Sequence, residues 1–596
     1  MAVPGPLLSY TPMRSLWSTL VLGSGLVAAA ACSNDSTGPG HPNGTCSGTT
    51  FSLASLEGRV IAAEDLPCLT IPADGGTYVV VPQFPTASAT LAPVNFTLTA
   101  GSGSAATARV VPVARRVLSP TALRVDLGRA QRNLDGFLRR REHEVAAAAR
   151  SAPPSARGPL ANRVQADVVL QSPRTFHVLS DFSNNDTFKT DTAILKYTGA
   201  HIAIYQSQNA PAPPNGFTDA EIAAFGNTFD QDLYQIDVQT FGSATDIDNN
   251  GHVIVLMSPI INHLTTANTC NTQGFIASFF DAIDLLPITQ YPNSNTGEIF
   301  YTLVPDPAGT FSCAHSKDAT GELTTSTFIH EFQHMISFGQ HAIIRDGNEE
   351  DSWLNEGLSH IAEELGSRYY ENKFPPPTGR TDADQVFPDS SQGFISGDLY
   401  NSWHFLFDPT STDTTDKASV SNWGNGDGTL VQRGGSWLFL RWLGDQQDST
   451  VYGRLDQTSL TGVPNVEAAS GSSFQTLFGE FALALYVDSL PGVARSSIPS
   501  EFRFTSRNLR ALYGKEFERN PGTFTVEFPI ESKSLAPGST RSSSMYPGTM
   551  DFYVLNAPGS GNPVVLTFAP ASGSTFNSSL HAQVSVFHCP SASACQ

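Results

Sequence analysis

The sequence predicts an α+β protein, with a mixed central domain flanked by small β-sandwich domains. Three observations carry this. Both ends hold short β-prone runs separated by Gly, Pro and Ser clusters. The middle holds two consecutive segments with helical apolar spacing. The 596 residues are also too many for a single core.

Taken in order, residues 1–31 read as a secretion signal. Arg14 precedes an apolar stretch from Leu16 to Ala31, which ends in a run of alanines before Cys32. Small residues directly before a Cys resemble a bacterial lipobox, and this implies a lipid anchor at Cys32. Ala29 stands where Leu is usual, so soluble secretion is the alternative. Either way the protein is expected in the cell envelope or outside the cell, touching membrane only through that anchor. Residues 32–45 form a flexible Ser/Gly/Pro tether. No later hydrophobic run reaches membrane-spanning length.

Residues 46–112 contain runs such as Thr77-Tyr-Val-Val-Val-Pro and Asn95-Phe-Thr-Leu-Thr, and read as a small β-sandwich. Residues 113–165 form an Arg-rich helix and linker. Ser119 and Pro120 open it, Leu123, Leu127, Leu134 and Leu138 line one side, and Ala152-Pro-Pro-Ser ends it. Its cluster Arg139, Arg140 and Arg141 is the one basic island in an acidic chain. It is either a solvated helix between domains or a pro-region covering an acidic domain. Residues 166–515 form the central domain. Residues 516–596, with Asp551-Phe-Tyr-Val-Leu and Pro563-Val-Val-Leu-Thr-Phe, read as a second terminal β domain for substrate or surface attachment.

With 55 acidic against 34 basic residues, a net −21, nucleic acid is excluded as a partner. Setting Cys32 aside leaves six of the 7 cysteines, an even number suited to an oxidising compartment. Proximity favours Cys46–Cys68, Cys270–Cys313 and Cys589–Cys595.

The chemistry lies in Thr327-Phe-Ile-His-Glu-Phe-Gln-His334, an HExxH motif. On a helix, His330 and His334 are one turn apart and roughly 40° apart around the axis, so both imidazoles can reach one metal. A hydrolytic zinc takes three protein ligands and keeps one position open for water. Glu331 is rotated about 100° from His330 and reaches that water as a general base. Thr324, Thr325 and Ser326 offer capping oxygens, and Phe328, Phe332, Met335 and Ile336 supply an apolar face opposite the histidines.

A third ligand is needed. His341 returns to the same face but two turns away, roughly 10 Å along the axis, which is too far for the same ion. Ser337 and Gln340 stand where HExxHxxGxxH requires Gly and His. Beyond the Asp346-Gly-Asn turn, Leu354, Leu358, Ile361 and Leu365 form an apolar stripe, with Glu356, His360 and Glu363 on the other side. A helix returning antiparallel beside the motif makes Glu356 the expected ligand, 22 residues after His334. Glu349, Glu350 and Asp351, in the turn, are its rivals.

The strings His330-Glu-Phe-Gln-His-Met-Ile-Ser-Phe and Asp351-Ser-Trp-Leu-Asn-Glu-Gly-Leu-Ser-His-Ile-Ala-Glu-Glu resemble the gluzincin peptidases, and among them the hyicolysin family. The resemblance implies a zincin-type, thermolysin-like metallopeptidase domain, zinc as cofactor and a polypeptide substrate. It also implies His330, His334 and Glu356 as ligands and Glu331 as base. Thermolysin-like enzymes carry an Asp four residues after the ligand Glu; His360 stands there, and Glu363 is the substitute for supporting a ligand imidazole. The Asn355-Glu-Gly-Leu-Ser string is also similar to the aminopeptidase branch. The Gly-x-Met-Glu-Asn sequence of that branch is missing upstream, which favours an endopeptidase.

Three further expectations remain two-sided. Glu298-Ile-Phe-Tyr-Thr-Leu-Val304 is either an edge strand on which an extended peptide lies or an ordinary internal strand. Asp246-Ile-Asp-Asn-Asn-Gly251 matches half of a calcium loop, with Asp246, Asp248 and Asn250 as ligands, or else is an Asx-type turn. Tyr400 is the candidate oxyanion donor, since Tyr370 lies nearly ~20 Å along the return helix from Glu356. The rival functions are an aminopeptidase on the same scaffold and a surface-binding lipoprotein with a structural zinc. A structural zinc site has no use for the base Glu331.

Overall fold

In the computed structural model the described residues are 46, 48–88, 91–102, 109–112, 128–151, 170, 172–183, 186–373, 392–413, 417–424 and 428–595. The signal segment, Cys32, the tether, the helix start at Ser119–Pro120 and the linker after Ser151 lie outside them. The architecture is mixed α+β, and among the described residues no helix is long and apolar enough to cross a membrane.

A six-stranded mixed sheet organises the central region. Its order is Ser278–Phe280, Ile299–Thr302, Val253–Met257, Ile202–Ser207, Thr187–Thr198 and Arg174–Asp181. Val253–Met257 is apolar at every position and wholly buried, as suits a strand covered on both faces. Ile204, Val255 and Phe300 point to one face and pack with Phe328, Phe332 and Met335 of the motif helix. Tyr205, Ile254 and Leu256 point to the other, where Leu134 and Leu138 of the Arg-rich helix join them. The run from Glu298 to Val304 is internal: Ile299–Thr302 pairs in parallel with Val253–Met257 and antiparallel with Ser278–Phe280. The edge strand on that side is therefore Ser278–Phe280, which lacks any alternating pattern long enough to be recognised; Arg174–Asp181 is the other edge.

The motif helix spans Lys317–Phe338, and the Ser316 side chain caps it by accepting from Ala319 N at 3.1 Å. It thus starts about two turns before the expected caps. Thr324 lies inside it, where its hydroxyl donates to Thr320 O at 2.8 Å, a common way to satisfy a helical threonine. Gly339–Ile344 continues it as a π-helical turn. The return helix spans Ser352–Lys373 and buries Leu354, Leu358 and Ile361, as their spacing predicts.

Leu430–Gln446 forms a third helix, packed on the return helix and on Gln392–Phe407. Contact is close because of two glycines. A Cβ at Gly357 would stand 2.6 Å from Ser436 Oγ, and one at Gly434 would stand 2.2 Å from the Asn401 carbonyl carbon. Any larger residue would push these helices apart.

The two terminal β segments, expected as separate domains over 46–112 and 516–596, form one sandwich. Gln583–His588 lies between Gly58–Ala62 and Thr77–Gln83, and Val94–Ser102 lies between Val564–Pro570 and Ser539–Met545. Val80, Phe96 and Leu98 share a buried core with Tyr553, Leu566 and Phe568. Neither segment alone makes a continuous sheet, so the core they share forms only when the strands of both interleave. The three disulfides are the pairs that proximity favours: Cys46–Cys68, Cys270–Cys313 and Cys589–Cys595.

Candidate metal centre

The motif helix and the return helix pack side by side, bringing His330, His334 and Glu356 together. The two Nε2 atoms lie 3.1 Å apart, Glu356 Oε2 lies 3.9 Å from His330 Nε2, and Oε1 lies 3.9 Å from His334 Nε2. Donor atoms around a tetrahedral zinc at ~2.05 Å stand about 3.4 Å apart, so the triangle is close to a ligand set. Glu356 is 1% exposed, and its Oε1 has no hydrogen-bond partner. A buried carboxylate oxygen without a donor is costly unless a cation faces it.

Each imidazole is held from behind. His330 Nδ1 lies 2.7 Å from Glu363 Oε1, and His334 Nδ1 meets Asn355 Oδ1. These oxygens accept hydrogen bonds from Nδ1–H and leave each Nε2 with its lone pair. Arg139 Nη1 also lies 3.3 Å from His334 Nδ1. With that nitrogen protonated towards Asn355, the guanidinium is a charged neighbour rather than a donor. Burial and then the Arg139 charge press His334 well below the usual imidazole range, which keeps it neutral.

Glu331 projects towards the sheet edge, where Oε1 accepts from Ser278 Oγ at 2.8 Å and Oε2 from Phe280 N at 2.9 Å. Burial pushes its carboxyl up to about 7. Glu363, despite burial, is drawn down to about 2 by the His360 and His330 imidazoles. His360 itself lies 2.9 Å from Asp398, on the helix Gln392–Phe407. A chain of side chains thus runs from Asp398 through His360 and Glu363 to His330.

Two residues at the centre have no motif to announce them. Arg433 Nη1 donates to Glu356 Oε2 at 2.5 Å, and its Nη2 donates to Asp135 Oδ2 at 2.7 Å. Burial alone would raise the Glu356 carboxyl; Arg433 and Arg139 outweigh it and hold the group below the ordinary value. The nearest signal in the sequence is Gly357, directly after Glu356, because the close helix approach it permits sets Arg433 beside the carboxylate. Asp135 belongs to the Arg-rich helix, which spans Arg129–Ser151.

Of the other expected residues, His341, the turn carboxylates and Tyr370 fall elsewhere. His341 is buried beside Glu350, at 3.7 Å, and Asp456, at 4.0 Å. Glu350 accepts from Gly462 N and Asn465 Nδ2, each at 2.6 Å, while Glu349 faces His143. Neither joins the His330, His334 and Glu356 group, nor does Asp351. Tyr370 donates to Asp232 at 2.8 Å. Tyr400 is turned about 200° around its helix from Asp398, and its ring meets His404 edge-on at 4.4 Å. Asp398 is the member of that helix that joins the network.

The Asp246–Gly251 loop is an Asx-type turn: Asp246 Oδ1 accepts from Asn250 N at 3.0 Å and Gly251 N at 3.2 Å. Asn250 is not a free ligand, since its amide donates to Asp248 at 2.7 Å and its Oδ1 accepts from His252 N at 2.6 Å. The carboxylate that approaches Asp246 and Asp248 is Glu298. Glu298 accepts from Thr245 Oγ1 at 2.6 Å and Ile247 N at 3.0 Å, which braces the turn.

No protein-family model matches the chain. Over 198 residues it is 25% identical to the neutral metalloprotease ShpI of Staphylococcus hyicus, a stretch that is 33% of this chain. The chain spans 40% of the length of that curated relative.

Proposed function

We propose that this chain is a zinc-dependent endopeptidase acting outside the cytoplasm, of the gluzincin kind and closest in motif to the hyicolysins. His330, His334 and Glu356 serve as its ligands and Glu331 as its general base. One observation carries the reading: two Nε2 atoms 3.1 Å apart face a buried Glu356 whose Oε1 has no partner, with Glu331 on the same helix. The similarity to a neutral metalloprotease supports it.

A zinc ion held by these three residues supplies a Lewis acid for the scissile carbonyl and lowers the pKa of water towards about 7. The remaining roles belong to side chains and backbone. Glu331 takes the proton of the attacking water and passes it to the leaving amine. Glu363 and Asn355 hold the imidazoles in the tautomer that presents Nε2. The strand Ser278–Phe280 lies at the sheet edge beside Glu331, where an extended peptide can be laid by strand addition. Export rests on the signal-like N-terminus, with Cys32 as the lipid anchor.

The deciding experiment is digestion of casein and of an N-terminally blocked peptide by the purified chain, with and without a zinc chelator. Chelator-sensitive cleavage of both is expected. Cleavage of free-amine peptides alone would make it an aminopeptidase, and stoichiometric zinc without any hydrolysis would favour a binding protein.

A further inference from the structure

The helix Arg129–Ser151 does more than connect domains, because its side chains touch the sheet edge, the candidate ligands and the turn ahead of the return helix. Near its start, the Gln131 amide reads the edge-strand main chain in both directions. Its Oε1 accepts from Ala277 N at 2.9 Å and its Nε2 donates to Ser278 O at 3.0 Å. Ser278 O is a group to which an added strand would donate; Ala277 lies just ahead of that strand. One turn on, Asp135 receives Arg433 Nη2 at 2.7 Å, the same guanidinium that holds Glu356. Gln131 also donates to Asp135 at 2.8 Å, joining the two contacts. Arg139 follows, 3.3 Å from His334 Nδ1, and pairs with Glu142 at 3.0 Å. At the far end Arg150 donates to Gly347 O at 2.5 Å, ahead of the return helix.

Sequence and burial mark this as a docked face rather than a solvated one. Arg132, Asp135, Arg139, Arg141 and Glu142 are all buried, and Glu142 is only 1% exposed. Five charged residues on one helix are seldom enclosed unless the surface they meet is itself charged. That surface comprises Glu356, Glu331, Asp281 and Arg433. About 100° around the helix from Arg132, Asp135, Arg139 and Glu142, Leu134 and Leu138 anchor it, holding it along the strand Ser278–Phe280.

We infer that Arg129–Ser151 is an internal inhibitor of the site: it occupies Ser278 O of the edge strand and the Arg433 guanidinium, and a polypeptide reaches the site in the fraction of molecules in which the helix is displaced. This rests on the peptidase reading proposed above. The chemistry of displacement is exchange. Gln131 gives up Ser278 O to an incoming extended peptide, and Asp135 gives up Arg433.

The test uses the zinc-loaded full chain and the variants Gln131→Ala, Asp135→Ala and their double, with zinc content and melting temperature measured for each. Hydrolysis of an N-blocked, internally quenched peptide is one readout. The other is the Kd of N-acetyl-leucine hydroxamate in a Glu331→Gln background, which needs no turnover. The double variant should raise kcat/KM by tenfold or more and tighten hydroxamate binding by a similar factor, with Gln131→Ala giving a smaller gain in the same direction. Because Gln131→Ala removes only side-chain hydrogen bonds from a half-buried position, it serves alone if the double variant does not fold. Unchanged or lower activity and unchanged hydroxamate affinity, with zinc retained, would overturn the inhibitor role. Hydrolysis that survives Glu331→Gln, or a chain that binds neither zinc nor hydroxamate, would instead overturn the peptidase reading itself.

Discussion

Glu363 Oε1 stands 2.7 Å from His330 Nδ1, so the carboxylate two turns beyond Glu356 braces a histidine of the motif from behind. The bond fixes the ring and its tautomer. Glu363→Ala should therefore lower zinc affinity roughly 10- to 100-fold while leaving the fold intact. Glu363→Gln, which can still accept the Nδ1 proton, should lose less. Competition titration against a chromogenic chelator measures both, and equal affinity in all three proteins would remove Glu363 from the site.

Glu331→Gln should abolish hydrolysis while about one zinc per chain is retained. Gln keeps the shape and can still accept from Phe280 N, but it cannot take a proton from water. A loss of at least ~10²–10⁴ in kcat is expected for removing a general base. Steady-state rates paired with metal analysis on the same preparation decide the matter, and full activity would end the proposed mechanism.

Glu356→Ala should lose zinc and activity together, since two imidazoles leave the ion under-coordinated. Glu349→Ala, Glu350→Ala and Asp351→Ala should keep the metal, because those carboxylates lie outside the His330 and His334 group. His341→Ala should also keep it. Retained stoichiometric zinc in Glu356→Ala, with loss in any of the other three carboxylate variants, would reassign the ligand.

A pH effect on stability is expected away from the candidate metal centre, at Asp284. Burial, with Asp281 nearby, pushes its carboxyl up to about 7, although Tyr301 and Asn295 donate to it. A carboxyl raised in the folded state stabilises the fold fully below its ordinary value of 3.8 and loses that contribution as pH rises through about 7. Above that point the buried charge costs on the order of 4 kcal/mol. Asp284→Asn cannot ionise, so its stability relative to the parent should improve by roughly 2–3 kcal/mol between pH 5 and pH 8. Urea unfolding at both pH values measures this, and a constant difference between the two proteins would refute it.

Legibility in the sequence followed the range of the interactions. The motif helix, the return helix and its stripe of Leu354, Leu358 and Ile361 were readable because period and capping are local properties. The start of the motif helix was misplaced, because Thr324 satisfies its hydroxyl within the helix just as well as at an end. The terminal β segments each carried the composition of a sandwich. That their strands alternate in one sandwich was invisible, since residues near 80 pair with residues near 554 and 586, and β patterning does not name a partner.

Taken alone, the sequence pointed to the residues proposed to carry chemistry: a pair of histidines one turn apart, a glutamate between them, and a second helix with Glu356 on its polar side. Helical phase suffices for that, because it is set by backbone geometry. Only the tertiary structure decided what surrounds them. Arg433 reaches Glu356 because Gly357 and Gly434 let three helices close on one another. Asp135 and Gln131 reach the site because Leu134 and Leu138 seat their helix against the sheet. These contacts join residues from 77 to 298 positions apart, and burial and charge pairing across such distances are properties of packing, on which local sequence patterns are silent.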